Sequence, residues 1–307
     1  MHWRMKGVVQ KSLSYMPGGE HLNDYLQKTV GGLREFGSNI TTKVNNWIRS
    51  VRYLQDVGFN ARGATLVEIG TGWYPTLPIC FSLVGVERVM TYDTVRHMDS
   101  ALTFRMLALL EGHLDSIAEV SGVCSEEVRS RYNGLLQAKS VDALLKLARI
   151  EYYAPANARV TSLVSNSVDL VFSNSVMQQI PKDVIRGLMN ESVRILRPGA
   201  LALHNVGCSD QYGFADRGIS FVNYLQYSES EWRKWNNSLQ YQNRLRASEF
   251  LDLAADAGLE VVCKHTAVRP GTCEALSRLK IAAEFKRFSK EDLAITTIDF
   301  VSRKATS

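Results

Sequence analysis

A short apolar, β-branched run, Thr65-Leu66-Val67-Glu68-Ile69, breaks off at Gly70-Thr71-Gly72. A run without polar alternation is a strand covered on both faces, and strands of that kind pair in parallel. A second run, Arg88-Val89-Met90-Thr91-Tyr92, follows after about one helix of chain and ends at Asp93. The two make a βαβ unit whose crossover is right-handed. The alternation resumes with short strands at 151 to 153 and 168 to 172. A helix over 182 to 196 is stopped by Arg197-Pro198-Gly199, and a strand follows over 200 to 206. A helix at 248 to 257, a strand at 259 to 263, a further helical piece and a last strand at 296 to 301 close the chain. The fold class predicted is therefore α/β: a Rossmann-like, seven-stranded, mainly parallel sheet.

Two stretches exceed what connections need. Residues 98 to 149 are helical in pattern throughout and read as an inserted cap. Residues 207 to 246 are polar and rich in aromatic side chains, among them Tyr212, Tyr224, Trp232 and Trp235, and read as a loop insertion. Residues 1 to 60 form an N-terminal helical lid. Its apolar positions at helical spacing are Leu22, Leu26, Val30 and Leu33, then Ile40, Val44, Trp47, Val51 and Leu54, with breaks at Gly31-Gly32 and Gly37. The main domain spans 61 to 307.

With 45% hydrophobic and 22% charged residues, the composition excludes disorder and coiled coil. A net charge of +5 is spread along the chain, which argues against a nucleic-acid partner or an anionic membrane surface. No signal peptide and no apolar run of about 18 residues is visible. The five cysteines are scattered and never spaced as CxxC, so reduced thiols in a cytoplasmic protein without a metal site are expected. Oligomeric state is left open.

In an open parallel sheet, ligands bind beyond the carboxyl ends of the strands, where strand order reverses. After the first strand, Gly70 and Gly72 let a ligand approach the backbone, and Glu68 can accept hydrogen bonds from it. Asp93 lies 21 residues after Gly72, the spacing at which an acid reaches the ribose hydroxyls of an adenosine. These features suit either a nicotinamide dinucleotide or S-adenosylmethionine. A dinucleotide turn wants a third glycine where this chain has Pro75.

With the downstream run Val168-Asp169-Leu170-Val171-Phe172-Ser173-Asn174-Ser175-Val176-Met177-Gln178-Gln179-Ile180-Pro181 and the turn Leu196-Arg197-Pro198-Gly199-Ala200, the chain resembles the class I S-adenosylmethionine-dependent methyltransferases over about residues 64 to 206. That resemblance implies that the last strand of the sheet runs antiparallel, that Glu68, Gly70, Thr71 and Gly72 hold the methionine part, and that Asp93 holds the ribose. Thr94 lies beside Asp93 in the same cofactor set. It also implies that Ala156 and Asn157 meet the adenine edge, and that Ser173, Asn174 and Ser175 line the floor near the sulfonium. The chain departs from the family pattern at Trp73-Tyr74-Pro75, which brings Trp73 toward the ligand. It departs again at Gln178-Gln179, where relatives carry Glu-His; a glutamine cannot act as a general base.

His204, at the end of the fifth strand, is the candidate base, with Asp210 beside it. Gln178, Tyr212, Asp216 and Arg244 are candidate acceptor contacts. The expected reaction is methyl transfer from S-adenosylmethionine to a small-molecule acceptor, at a hydroxyl oxygen, leaving S-adenosylhomocysteine. The alternatives are a nicotinamide-dependent oxidoreductase and a non-catalytic S-adenosylmethionine-binding protein.

Overall fold

The computed structural model describes residues 2 to 16 and 35 to 306. The helical spacing read at Leu22, Leu26, Val30 and Leu33 lies outside the described residues. Ahead of the sheet come α1 (Trp3–Ser14) and α2 (Phe36–Asp56). Then follow β1 (Thr65–Ile69), α3 (Thr76–Leu83) and β2 (Arg88–Tyr92). Four helices occupy the stretch before the next strand: α4 (Ser100–Leu110), α5 (Leu114–Ser121), α6 (Ser125–Leu135) and α7 (Val141–Leu147). The rest runs β3 (Ile150–Tyr153), β4 (Val168–Asn174), α8 (Lys182–Ile195) and β5 (Leu196–Gly207). It ends with α9 (Glu229–Trp232), α10 (Ala247–Asp256), β6 (Leu259–Ala267), α11 (Thr272–Arg278), α12 (Lys290–Ala294) and β7 (Thr297–Lys304).

The seven strands form one sheet in the order β3-β2-β1-β4-β5-β7-β6. The first five pair in parallel, and β7 enters antiparallel between β5 and β6. Strand order therefore reverses between β1 and β4, which fixes where a ligand crevice opens. β5 starts at Leu196, directly out of α8 and opposite Val168 of β4, so Arg197-Pro198-Gly199 belongs to the strand's entry rather than to a separate loop.

Side chains alternate across each strand, and here the alternation sorts two cores. Leu66, Val89, Leu170, Phe172, Leu201, Leu203 and Val301 face α2 through α7. Val67, Ile69, Met90, Val171, Ala202, Val206 and Phe300 face α8 and α10. The helix α2 is held by Phe36, Ile40, Val44, Trp47, Val51 and Leu54, recurring every three or four residues on one face. Trp47 is wholly buried and meets Phe81 edge-on at 5.5 Å.

The aromatic stretch builds a third, smaller core from Trp3, Tyr212, Val222, Tyr224, Leu225, Trp232, Phe285 and Leu293. Arg246, fully buried, ties it to the sheet edge. Its guanidinium donates to the carbonyls of Cys208 (2.9 Å), Asp292 (2.9 Å) and Ile295 (2.5 Å) and to the Tyr224 hydroxyl (2.6 Å). The Cys208 and Asp292 carbonyls keep a second donor, the Tyr224 hydroxyl and the Ile295 amide, so removing the guanidinium strands chiefly the Ile295 carbonyl and takes a large side chain out of the core. Arg246→Leu is expected to lower unfolding free energy by roughly 3 kcal/mol or more. A urea midpoint unchanged from the parent would contradict this.

Candidate cofactor and acceptor site

The turn after β1 is shaped by its glycines. Gly70 has φ +81°, and a Cβ there would come within 2.5 Å of the Val176 side chain; Gly72 has φ +73° and faces open space. The first glycine is required by close packing against the segment after β4, and the second leaves a gap at the tip of β1. Beside that gap stand two carboxylates. Asp93 accepts from the Gly72 amide (3.0 Å) and the Tyr152 hydroxyl (3.2 Å). Glu68, only 3% exposed, accepts from the hydroxyls of Thr71 (2.6 Å) and Thr91 (2.7 Å), which also contact each other. Ala156 is tied to the same corner by its amide, which donates to the Asp93 carbonyl at 2.8 Å.

The helix α2 lies across the strand tips. Lys43 places its ammonium 4.2 Å from the centre of the Tyr74 ring, just beyond the glycine turn. One turn on, Asn46 donates to Asn174 at the end of β4 (3.3 Å). Arg49 then pairs with Asp299 of β7 (2.7 Å), and Ser50 reaches Asn205 of β5 (3.2 Å). Tyr53 stacks on His265 of β6 at 3.9 Å. Between this helix and the ends of β4, β5, β6 and β7 opens a cleft of about 500 Å³. Its walls are mixed: polar side chains from Asn46, Gln178, Asn205, Ser209 and Gln211, with Arg49, Asp299, His265 and Arg269, stand beside Tyr53, Val206, Phe214 and Ala267.

Glu68, Gly70, Thr71, Gly72, Asp93 and Ala156 are thus brought to one corner of the sheet. Trp73 is half-buried in the same turn, where its carbonyl accepts from the Asp99 amide at 2.9 Å. Thr94 is exposed beyond Asp93, and Asn157 is exposed with its side-chain oxygen accepting from Arg159 at 3.1 Å. Asn174, Ser175 and Gln178 face the boundary between the turn and the cleft.

Five residues expected to act on the acceptor lie elsewhere, and Ser173 stands apart from the cofactor corner. Ser173 and His204 share the parity of Val171 and Ala202, so they point to the α8 face, away from Glu68 and α2. There the Ser173 hydroxyl and His204 Nδ1 are 2.9 Å apart in the core. Burial holds the His204 imidazole neutral, down to about 3, and a ring sealed behind the sheet cannot reach an acceptor. Asp210 is buried, bonded by the Tyr212 amide and Asn223, where it caps a short turn. Tyr212 packs on Trp3 in the small core, and Asp216 fastens the Trp3 amide at 2.8 Å. Arg244 is buried against Trp232 and Phe285 and paired with Glu229 at 2.7 Å. The sequence reading passed over Lys43, Asn46, Arg49, Tyr53, Asn205, His265, Arg269 and Asp299.

A parallel sheet with an antiparallel seventh strand, and a buried acid at the tip of each of its first two strands, decides the architecture. The fold is Rossmann-like. No family model and no curated protein matches the chain. Among solved structures it is similar to geranyl diphosphate C-methyltransferase from Streptomyces coelicolor A3(2), determined with Mg2+, geranyl diphosphate and S-adenosyl-L-homocysteine. The identity is 14% over 90% of this chain and 88% of that one, with a TM-score of 0.48. It is also similar to a SAM-dependent methyltransferase from Methanosarcina mazei (12% identity, 83% and 98% covered, TM-score 0.45). A cyclase, SpnF, is a third (12% identity, 85% and 82% covered, TM-score 0.44).

Burial drives the Glu68 carboxyl up to about 7, against the two hydroxyls that favour its ionised form. Its folded value thus exceeds the unfolded one near 4.5, so its contribution to stability is complete below about 4.5 and is lost as pH rises through about 7. Glu68→Gln, which can still accept both hydroxyls, is expected to be more stable than the parent at about pH 8, by on the order of 2 kcal/mol. Urea unfolding at about pH 5 and pH 8 checks this; a parent as stable as the variant at the higher pH contradicts it.

Proposed function

We propose that this protein transfers a methyl group from S-adenosylmethionine to a small polar acceptor, at a hydroxyl oxygen, releasing S-adenosylhomocysteine. The observation that carries the reading is the pair of carboxylates, Glu68 and Asp93, flanking the open gap at Gly72. A carboxylate at a strand tip suits an amino group or sugar hydroxyls, and the Gly72 amide and the Tyr152 hydroxyl both donate to the same oxygen of Asp93, Oδ2. When bound, S-adenosylmethionine supplies a methyl group already activated on a sulfonium, so the chain need only bind, orient and dehydrate the partners.

Glu68 would hold the amino end and Asp93 the ribose, while α2 covers both from solvent. The neighbouring cleft would take the acceptor. Amide side chains of Asn46, Asn205 and Gln211 offer both donors and acceptors, a lining that favours a hydroxylated molecule over a hydrocarbon. His265 lines the cleft opposite Asp299 in register, and an imidazole nitrogen can accept the proton of a bound hydroxyl. The acceptor oxygen would bond to the methyl carbon as that carbon's bond to sulfur breaks, the electron pair staying on sulfur to leave S-adenosylhomocysteine and the hydroxyl proton passing to His265. The aromatic segment and α1 would close the far side of the cleft.

Thermal unfolding with S-adenosylmethionine, S-adenosylhomocysteine and NAD tests the cofactor. Either sulfur compound at about a hundred times its dissociation constant should add roughly 2.7 kcal/mol and raise the midpoint by several degrees. Stabilisation by NAD alone would overturn the reading. Once an acceptor is found, His265→Gln should lower kcat about 100-fold or more with the S-adenosylhomocysteine shift intact. His204→Leu should leave kcat per folded molecule within about twofold of the parent. The reverse pattern would return the base to His204.

A further inference from the structure

The cofactor corner already contains a positive charge of its own. Lys43 projects from α2 onto the face of Tyr74, at 4.2 Å from the ring centre, in the turn that joins Gly72 to α3. Its own helix neighbours on that face, Ile40, Val44 and Trp47, are apolar and buried. Burial works against the ammonium, while Glu68 and Asp93 both favour it. In return, Lys43 favours the ionised forms of both acids. A lysine held over an aromatic face, in the field of two acids, is placed as a cationic guest would be.

We infer that Lys43 is a resident cation of the cofactor site that sets the preference between S-adenosylmethionine and S-adenosylhomocysteine by opposing the sulfonium charge. The inference rests on the functional reading above. In S-adenosylmethionine the sulfonium joins the methionine chain to the ribose, the two parts assigned to Glu68 and Asp93. A charge that answers to both acids therefore competes for the same field. The two ligands carry the same amino group and carboxylate and differ by the methyl group and one positive charge. Their affinity ratio thus reports on that charge and cancels what they share. Lys43 would weaken S-adenosylmethionine relative to the uncharged thioether.

The test is calorimetric titration of each ligand into the parent, Lys43→Met and Lys43→Arg. Lys43→Met keeps the length of the side chain and removes the charge, and Lys43→Arg keeps the charge. The Kd of S-adenosylmethionine divided by that of S-adenosylhomocysteine should fall about fivefold or more in Lys43→Met and stay within about twofold of the parent in Lys43→Arg. A ratio unchanged in Lys43→Met, with both ligands still binding, overturns the inference. Equal changes in both affinities, with the ratio kept, mean that Lys43 only shapes the site and overturn it too. If neither ligand binds the parent, it is the cofactor reading that fails. Should Lys43→Met not fold, Lys43→Gln carries the same comparison.

Discussion

A carboxylate buried at the tip of the central strand governs the arrangement around it. Glu68 sits almost without solvent, beneath α2 and beside two threonine hydroxyls. An acid in such a place is costly to ionise, and a protein retains it where its charge has a partner to meet. The neighbouring features follow from that one expense. Thr71 and Thr91 orient the carboxylate, Gly72 leaves room in front of it, and Lys43 supplies part of the missing counter-charge.

Much of this was legible in the chain because the cofactor half is built from local signals. A β-branched run, two glycines at positive φ and an acid at the end of the next strand are each short-range statements about backbone. The mainly parallel sheet followed from element alternation, and β7 is antiparallel as the resemblance implied. What failed at His204 was parity. Two residues separate it from Ala202 and from Val206, so it shares their face, and Asn205 is the residue of that strand that turns toward Glu68's side. Counting by twos from Leu203, which packs in the opposite core, was the available signal.

The polar and apolar cleft under α2 was illegible for a different reason. Its walls come from α2, from the ends of β6 and β7 and from the segment after β5, pieces far apart in sequence. Each looks ordinary alone: Asn46 and Arg49 read as the wet side of an amphipathic helix, and Asp299 as a strand-end charge. Only tertiary packing lays that helix across the strand tips. The same packing explains Arg244 and Tyr212, whose polar ends are spent inside the small aromatic core rather than at its surface.

One helix touches everything. From Lys43 to Tyr53, about three turns of α2 run from the tip of β1 to the edge strand β6, over the glycine turn at one end and the cleft at the other. Helices move as rigid rods, so a tilt that admits a guest at one end displaces the walls at the other. Were both compartments to take guests, as the functional reading has it, any free energy the first spends or gains in moving α2 would be felt by the second, and equally in reverse. Hanging both compartments from a single rod would then favour an ordered sequence of binding.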